Sequence, residues 1–425
     1  MQSLRFLKEH ARVIGLGFLL TFVSSLGQTF FIGQFKESLL AAIPTLTHGS
    51  YGQWYAAATL TSAACLAYVG RRIDDLDLRL YTVLVCVGLA LACLGMSFAS
   101  GLATLVPALF GLRLFGQGLL GHIANTATVR YIEKGRGRAL SLVNLGSPGG
   151  EAVLPIAVVA LLARFEWRMC WRLSALLVVV CVIPTVLAFL RGHGARHQEW
   201  RLDIEEKERR GVIDATRQWT AREVLVSPGF LRIVPALLAL PFIATGLLFH
   251  QDVLKSSMGW SDAAFAMSFM AYSIAQVGGA PIVGGWVDSV GAGRLLPFLT
   301  VPVATALCIV SIVEGAYAST ILMAGLGLSS GIAFSVVGSV LAERYGVRHA
   351  GAIRSQLSVL MVVSTALSPP LVGAWIDAGH SMRTVTASFA GCAVLAALLT
   401  LGSGGSPAAR GMEEPSADGA PSTDG

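Results

Sequence analysis

The sequence predicts an all-α polytopic membrane protein with twelve transmembrane helices arranged as two six-helix repeats. Of its 425 residues, 54% are hydrophobic and only 13% are charged, about half the charged share of an ordinary soluble domain. A soluble core of this length could not bury so much apolar surface. The apolar stretches are also continuous and roughly 20 residues long, which suits helices crossing a ~30 Å hydrocarbon layer and not alternating barrel strands.

Twelve candidate spans, numbered in chain order, account for these stretches. They are predicted near 13–35, 50–70, 80–100, 102–127, 139–163, 172–190, 231–253, 263–286, 295–313, 316–341, 355–376 and 384–402. Nine of them have no charged residue or histidine in their interior. The exceptions are span 4 with Arg113 and His122, span 5 with Glu151, and span 7 with His250 and Asp252.

The basic residues predict the orientation of the chain. An even number of spans places both termini on one side, and if that side is cytoplasmic, 23 of the 31 Lys and Arg fall inside and 6 fall in outside loops. This bias follows the positive-inside rule, so the net charge of +6 reflects topology and gives no reason to expect nucleic acid. We expect a multi-pass protein of a bacterial inner (cytoplasmic) membrane with both termini in the cytoplasm. Span 1 is too long, and lacks the cleavage site, for a signal peptide, and is predicted to be retained.

The chain divides into two bundles around a polar insert. Residues 191–229 are rich in Arg, Glu and Lys and are predicted to be a cytoplasmic linker between an N-terminal bundle (1–190) and a C-terminal bundle (230–402). Residues 403–425 are rich in Gly, Ser, Pro and acidic residues, a composition typical of a disordered tail.

An internal repeat at an offset of 214 residues supports this division. The offset aligns Pro155 with Pro369 and the pair Arg130-Tyr131 with Arg344-Tyr345, matches that chance rarely produces together. Parallel repeats of this kind occur in transporters whose binding site lies between the halves.

The turns after spans 2 and 8 carry the sharpest motif of the repeat. The residues concerned are Gly70, Asp74 and Arg79 in the first copy, and Gly284, Asp288, Gly291 and Arg294 in the second. Glycine permits a tight turn or close helix packing. An aspartate can accept hydrogen bonds from a neighbouring helix N-terminus, and the basic residue can anchor the turn at the lipid surface.

The pattern Gly-x-x-x-Asp-x-x-Gly-x-basic in both halves, with twelve spans and a polar central loop, resembles the major facilitator superfamily. The first copy departs from it, since Asp77 stands where the second glycine is expected. The resemblance implies alternating access by a rocker switch around a midplane site. It also implies a gating latch in which Asp74 faces the start of span 11 and Asp288 the start of span 5, with a bias of ~1–3 kcal/mol. Alternatively, these turns only shape and anchor the fold.

Arg113 and Glu151 are the main candidates for the substrate and proton site. Ionisable residues within spans are costly and mark functional sites by default. The two lie at similar depth in consecutive spans, which leaves two interpretations. Glu151 carries a coupling proton while Arg113 takes the negative charge of the substrate, or the two form a permanent ion pair that only orients their helices.

Other polar residues within the spans extend this candidate site. His250 could titrate near neutral pH or form a wetted rim of the cavity. His122 could relay protons, although a helix–helix hydrogen bond is favoured. The candidate hydrogen bonders that could instead join helices are Gln28, Gln34, Asn125, Asn144 and Gln276.

Together these features predict a secondary transporter, and they do not predict an enzyme, channel or sensor, because no such motif is present. A small organic anion such as a carboxylate is favoured as the solute, moved with protons as a symporter. The alternative is a polyspecific drug/proton antiporter lined by Trp54, Phe30, Phe31 and Phe249, although the antiporter motif is incomplete. No metal or organic cofactor is implied, the seven cysteines are interpreted as packing residues, and a monomer in the lipid bilayer is expected.

Overall fold

The computed structural model describes residues 2–70, 72–132, 136–194, 198, 221–315, 317–345 and 350–401. Within these ranges every regular element is a helix, which confirms the all-α class. We call the face of the bundle that carries both ends of the described chain the inner face, and the opposite one the outer face. The tail, 403–425, and much of the linker, 201–220, lie outside the described residues.

Within the described residues, ten helices are long and apolar enough to cross a membrane, which confirms most of the predicted spans. They are Lys8–Gly27, Leu78–Ser97, Leu102–Tyr131, Ala139–Leu162, Trp167–Phe189, Pro228–Phe249, Ala292–Ile312, Tyr317–Tyr345, Gln356–Asp377 and Met382–Leu399. Spans 2 and 8 form the helices His48–Val69 and Asp262–Val290. These two have the length of membrane helices, but they are not among the ten. Both pack where the two halves meet, and small and polar residues interrupt their apolar sequences.

The helices follow one another with short connections. In chain order they are Gln2–Val23, Thr29–Ile32 and Lys36–Ala42 (span 1), His48–Val69 (span 2), Arg72–Asp75, Leu78–Ser97 (span 3), Leu102–Gly111 and Gly121–Tyr131 (span 4), Arg136–Asn144 and Gly146–Leu162 (span 5), Trp167–Leu177 and Ile183–Phe189 (span 6), Ala221–Val226, Pro228–Phe249 (span 7), Gln251–Met258, Asp262–Val290 (span 8), Ala292–Leu295, Val301–Ile312 (span 9), Tyr317–Tyr345 (span 10), Ala350–Asp377 (span 11) and Met382–Leu399 (span 12).

Side-chain caps explain where several spans begin. A hydroxyl or carboxylate before the first turn accepts a hydrogen bond from a main-chain N–H two or three residues ahead, which satisfies a donor that the helix leaves free. The capping residues are Thr47 for span 2, Asp77 for span 3, Ser227 for span 7, Ser261 for span 8 and Ser381 for span 12.

Several spans depart from regular α-helix, and spans 1, 4 and 6 do so near their middle. Span 1 tightens into a 3₁₀ turn at Ser24–Gly27, and Gln28 is then extended (φ −82°, ψ 153°) before helix resumes. Span 4 widens into a π-helix over Leu112–Leu120, and span 6 does so over Val178–Val182. Such wide turns often occur at functional sites, and the one in span 4 contains Arg113.

The two halves contact each other through spans 1 and 7, 2 and 11, and 5 and 8. At the outer face the contact is backbone to backbone. A Cβ on Gly52 would lie 2.8 Å from the main chain of Pro369, and one on Gly373 would lie 2.6 Å from the carbonyl oxygen of His48. Among the described residues, the polar contacts between the halves lie in the outer parts of spans 1, 2, 7 and 11 and in the middle of spans 5 and 8. The structure is therefore closed on its outer face.

The cysteines are all free thiols. Cys86, Cys93 and Cys170 are buried, which agrees with their predicted packing role, whereas Cys181, Cys308 and Cys392 lie exposed on the surface of the bundle.

Candidate functional site

Arg113 lies inside the N-terminal half and is only 2% exposed. Its Nε donates to Thr59 Oγ1 of span 2 at 3.1 Å, and its Nη1 donates to the main-chain oxygen of Gly27 at 3.2 Å. The guanidinium carbon lies 5.1 Å from the ring centre of Tyr55, in the geometry of a cation–π contact. The side chain thus joins spans 1, 2 and 4.

The break in span 1 explains why a cation is needed here. Because Gln28 is extended, the carbonyl of Gly27 lacks its normal helical partner, and a bare carbonyl within a membrane is costly. Span 4 approaches very closely at this point, since a Cβ on Gly116 would lie 2.8 Å from the Gly27 Cα. Small residues therefore allow Arg113 to reach the freed carbonyl.

The charge of Arg113 has no counter-ion in the part of the chain that the structure describes. Among the described residues, no carboxylate oxygen lies within 4 Å of its guanidinium, and no hydrogen bond from Nη2 is formed. A buried cation usually has an anionic partner. The site therefore combines a discontinuous helix, a fixed guanidinium and an uncompensated positive charge.

Glu151 does not pair with Arg113, so the interpretation of a permanent ion pair is wrong for this structure. Depth along two helices does not determine which faces the helices turn to each other. Glu151 instead lies near Tyr272 of span 8, close enough for electrostatic interaction. Its Oε2 is enclosed, with no hydrogen-bond partner in the described part of the chain.

Spans 5 and 8 are joined directly beside Glu151. Ser273 Oγ donates to the main-chain oxygen of Pro148 at 2.8 Å, and Tyr272 forms a 3.0 Å hydrogen bond to Ser330 of span 10. Glu151 thus lies at a junction between the two halves.

His250 lies in the outer part of the halves' interface and is fully buried, so the interpretation as a wetted rim is wrong. Its Nδ1 is 2.5 Å from Lys36 Nζ and its Nε2 is 2.9 Å from the main-chain oxygen of Pro369. Lys36 Nζ also lies 3.4 Å from Asp252 Oδ1. We call these three side chains, Lys36, His250 and Asp252, the outer cluster.

Lys36 was not predicted as a site residue, because at the end of span 1 it was counted as an outer-loop cation. Its side chain is 0% exposed. One signal did exist in the sequence: Lys36 and His250 are 214 residues apart, the offset of the repeat.

A second set of contacts closes the outer face beside the outer cluster. Asp377, at the end of span 11, accepts hydrogen bonds from Gly49 N at 2.9 Å and from Thr47 Oγ1 at 3.0 Å. Gln251 Nε2 donates to the main-chain oxygen of Phe30 at 2.9 Å. The carboxylate of Asp377 thus lies at the N-terminus of span 2, where the helix dipole favours negative charge.

The remaining polar candidates take varied positions. Gln28 is half-buried at the break in span 1. His122 Nε2 lies 3.1 Å from the main-chain oxygen of Gly70, the helix–helix hydrogen bond that was favoured. Asn144 Nδ2 donates to Asn125 Oδ1 at 3.2 Å and so joins spans 4 and 5. Gln276 Oε1, like Gln34 Nε2, is enclosed without a partner among the described residues.

The repeated turns are described only in part. Gly291 has φ +84°, a conformation that favours glycine, and Glu343 accepts a hydrogen bond from the N–H that follows it, on Ala292. In the first copy Asp77 instead caps span 3, and Arg79 donates to the main-chain oxygen of Leu190. Arg294 is exposed. The side chains of Asp74 and Asp288, and Gly284 with them, lie outside the described residues, so the latch stays a prediction.

The described residues contain no group of His, Cys, Asp and Glu side chains that could hold a metal ion. In the comparison with known families, the model described as Major Facilitator Superfamily matches residues 17–369. This stretch includes the broken span 1, Arg113, Glu151 and the outer cluster. No curated protein matches the chain.

Proposed function

The chain belongs to the Major Facilitator Superfamily, and on that premise we propose that it is a secondary transporter that moves a small organic anion, such as a carboxylate, together with protons by alternating access. The solute would bind near the membrane midplane between the halves, where discontinuous helices commonly form transporter sites. We place this carrier in a bacterial inner membrane as a monomer, with both termini in the cytoplasm.

The observation that carries the proposal is the uncompensated charge of Arg113. A carboxylate solute supplies the counter-ion that the described protein lacks, and a planar guanidinium binds a carboxylate with directed hydrogen bonds. Nη2 is free to donate, while Nε and Nη1 hold the group in place. Gln28, at the break in span 1, is proposed to donate a further hydrogen bond to the solute.

We assign the coupling proton to Glu151. Its enclosed and unpartnered oxygen favours the protonated form, since an isolated carboxylate is costly in a membrane. When the halves separate at spans 5 and 8, water reaches the carboxyl group and the proton can leave. Proton release is thereby tied to the same movement that exposes the solute.

The repeated turns are proposed to stabilise the opposite, outer-open state. In that state Asp74 and Asp288 would accept hydrogen bonds from the starts of spans 11 and 5. His122 is proposed to have a structural role, because its ring is held by the main chain of span 2.

Drug efflux is the weaker alternative. The aromatic residues that could line a cavity for lipophilic cations are largely occupied in packing: Phe30 contacts Phe269 with ring centres 5.7 Å apart, and Phe249 stacks on Tyr51 at 5.0 Å. A buried arginine would also repel a cationic drug.

The test uses purified protein in vesicles that contain a pH-sensitive dye. Di- and hydroxycarboxylates, and separately lipophilic cations, are added outside wild type, Glu151→Gln and the control Glu166→Gln, which alters an exposed outer-loop carboxylate. A carboxylate should acidify the lumen with wild type and Glu166→Gln but not with Glu151→Gln. Proton exchange driven by cations would instead support efflux. Tracer uptake without proton movement in every variant would make the protein a uniporter and Glu151 structural.

A further inference from the structure

The ring of His250 is held in one protonation form by its two partners. The main-chain oxygen of Pro369 can only accept, so Nε2 carries the hydrogen of the 2.9 Å bond. Nδ1 therefore accepts from Lys36 Nζ at 2.5 Å. His250 is neutral in this arrangement, and the pair with Lys36 carries a single positive charge.

The groups around the pair fix this charge balance. Asp252 lies 3.4 Å from Lys36 Nζ and forms the one ion pair that Lys36 makes with the described residues. Asp377 of span 11 also interacts electrostatically with Lys36, and His48 of span 2 does so with His250. Glu37 interacts with His48, and Tyr51 interacts with Asp252. The ring of His48 lies 6.2 Å from the ring of His250, and a histidine, being neutral or positive, cannot offset a second positive charge.

A proton added to Nδ1 of His250 would break the hydrogen bond between Lys36 and His250. Protonated His250 would donate from both ring nitrogens, and its Nδ1–H would point at an ammonium group 2.5 Å away. Of the described carboxylates, Asp252 alone is in direct contact with that ammonium group, and Asp377 acts on it from a greater distance. The pair spans the two halves, because Lys36 belongs to span 1 and His250 to span 7. Separation of the outer ends of these spans would relieve the repulsion and bring both side chains into water.

We propose that Lys36 and His250 form a second proton-binding site, separate from Glu151, which keeps the outer face closed only while the pair carries a single positive charge. Acidity on the outer side would then open the carrier toward the compartment from which proton and solute are taken. The inference rests on the proposed transport function for its purpose, but the gate movement can be measured without any solute.

The experiment measures the opening of the outer face by electron–electron distance spectroscopy. Spin labels are placed on Thr45→Cys in the N-terminal half and Ser256→Cys in the C-terminal half, both exposed at the outer face, in a chain whose native cysteines are replaced by alanine. Between about pH 8 and about pH 5 the longer-distance population of the otherwise wild-type protein should grow at least ~5-fold, the lower end of typical couplings between sites.

The decisive variant is His250→Gln. Its side-chain amide can donate to Pro369 and accept from Lys36, as neutral histidine does, but it cannot gain a proton. This variant should keep the short distance at both pH values, and the short distance at the higher pH shows that it folds. Lys36→Met, which removes the partner charge, should also lose most of the response. The matched control His380→Gln changes an exposed outer histidine and should respond like the parent protein.

The same response in His250→Gln as in the parent protein, or no response in the parent protein, would overturn the proposal. Glu151→Gln separates it from the proposed function: if the response persists in Glu151→Gln, the outer pair is an independent site. If it disappears there, Glu151 alone drives the gate and the outer pair is not a proton site. Failure of the vesicle transport assay leaves the distance measurement unaffected.

Discussion

Arg113 donates a hydrogen bond from Nη1 to the main-chain oxygen of Gly27, at 3.2 Å, and so caps the broken end of span 1. The same guanidinium that would bind the solute therefore also holds the helix that lines the site. Span 1 carries Lys36 of the outer cluster nine residues after Gly27. One short stretch of backbone therefore links the proposed solute site to the proposed outer gate.

Replacing Arg113 by Gln should abolish carboxylate uptake, with a loss of at least ~100-fold, because the amide removes the positive charge. Arg113→Lys should retain a fraction of the uptake, since it keeps the charge but not the directed fork of donors. Uptake of labelled carboxylate into vesicles measures both. The control is Arg164→Gln in an exposed outer loop. Normal uptake by Arg113→Gln would show that Arg113 does not bind the anionic solute.

Thr59→Val removes the oxygen that accepts the hydrogen bond from Arg113 Nε, while keeping the shape of the side chain. A hydrogen bond to a charged group contributes ~1.5–3 kcal/mol, so we expect the apparent KM for the solute to rise about tenfold or more. Thr61→Val in the same helix removes only a hydroxyl bonded to its own backbone at Ala57 and should behave as wild type. Equal KM values for all three proteins would show that Thr59 does not position Arg113.

Gly52→Ala should prevent full closure of the outer face. The added Cβ would lie 2.8 Å from the backbone of Pro369. Unlike a side chain, this backbone cannot adopt another rotamer to make room, and such overpacking costs ~1–3 kcal/mol. The distance between labels at residues 45 and 256 should lengthen at neutral pH. Gly391→Ala meets nothing within 4 Å and serves as the control. An unchanged distance would mean that spans 2 and 11 part without opening the gate.

Asp377→Asn should weaken outer closure mildly. The amide oxygen can still accept from Gly49 N and Thr47 Oγ1, but the favourable negative charge at the start of span 2 is lost, an effect of ~0.3–1 kcal/mol. We expect a two- to fivefold rise of the open population by the same distance measurement. Asp262→Asn, within the C-terminal half, is the matched control. An equal effect of both substitutions would contradict a role specific to Asp377.

The sequence predicted the fold better than the contacts within it. Composition and span length were sufficient to place the helices, because the bilayer imposes one length and one polarity on them. Arg113 and Glu151 were recognised from the cost of charge in lipid, but their partners were not, since helix rotation depends on packing. The π-helix at Leu112–Leu120 changes the face that span 4 presents, and no residue type in that stretch marks it.

Lys36 shows a different limit of sequence analysis. A cation at the end of a span normally reaches toward water, so a loop position was the natural prediction. Its burial depends on the approach of spans 7 and 11, which comes from residues more than 200 positions away.

The contact between positions 36 and 250 also bears on how such a carrier could have arisen. If its halves descend from one duplicated six-helix unit, these positions were once the same residue, and in a symmetrical pair of units a residue on the twofold axis meets its own copy. A symmetrical pair would place two identical side chains there, and two lysines would repel one another. The present pair could therefore form only after fusion allowed the two copies to diverge, which makes the outer gate a property of the single chain and not of its ancestral halves.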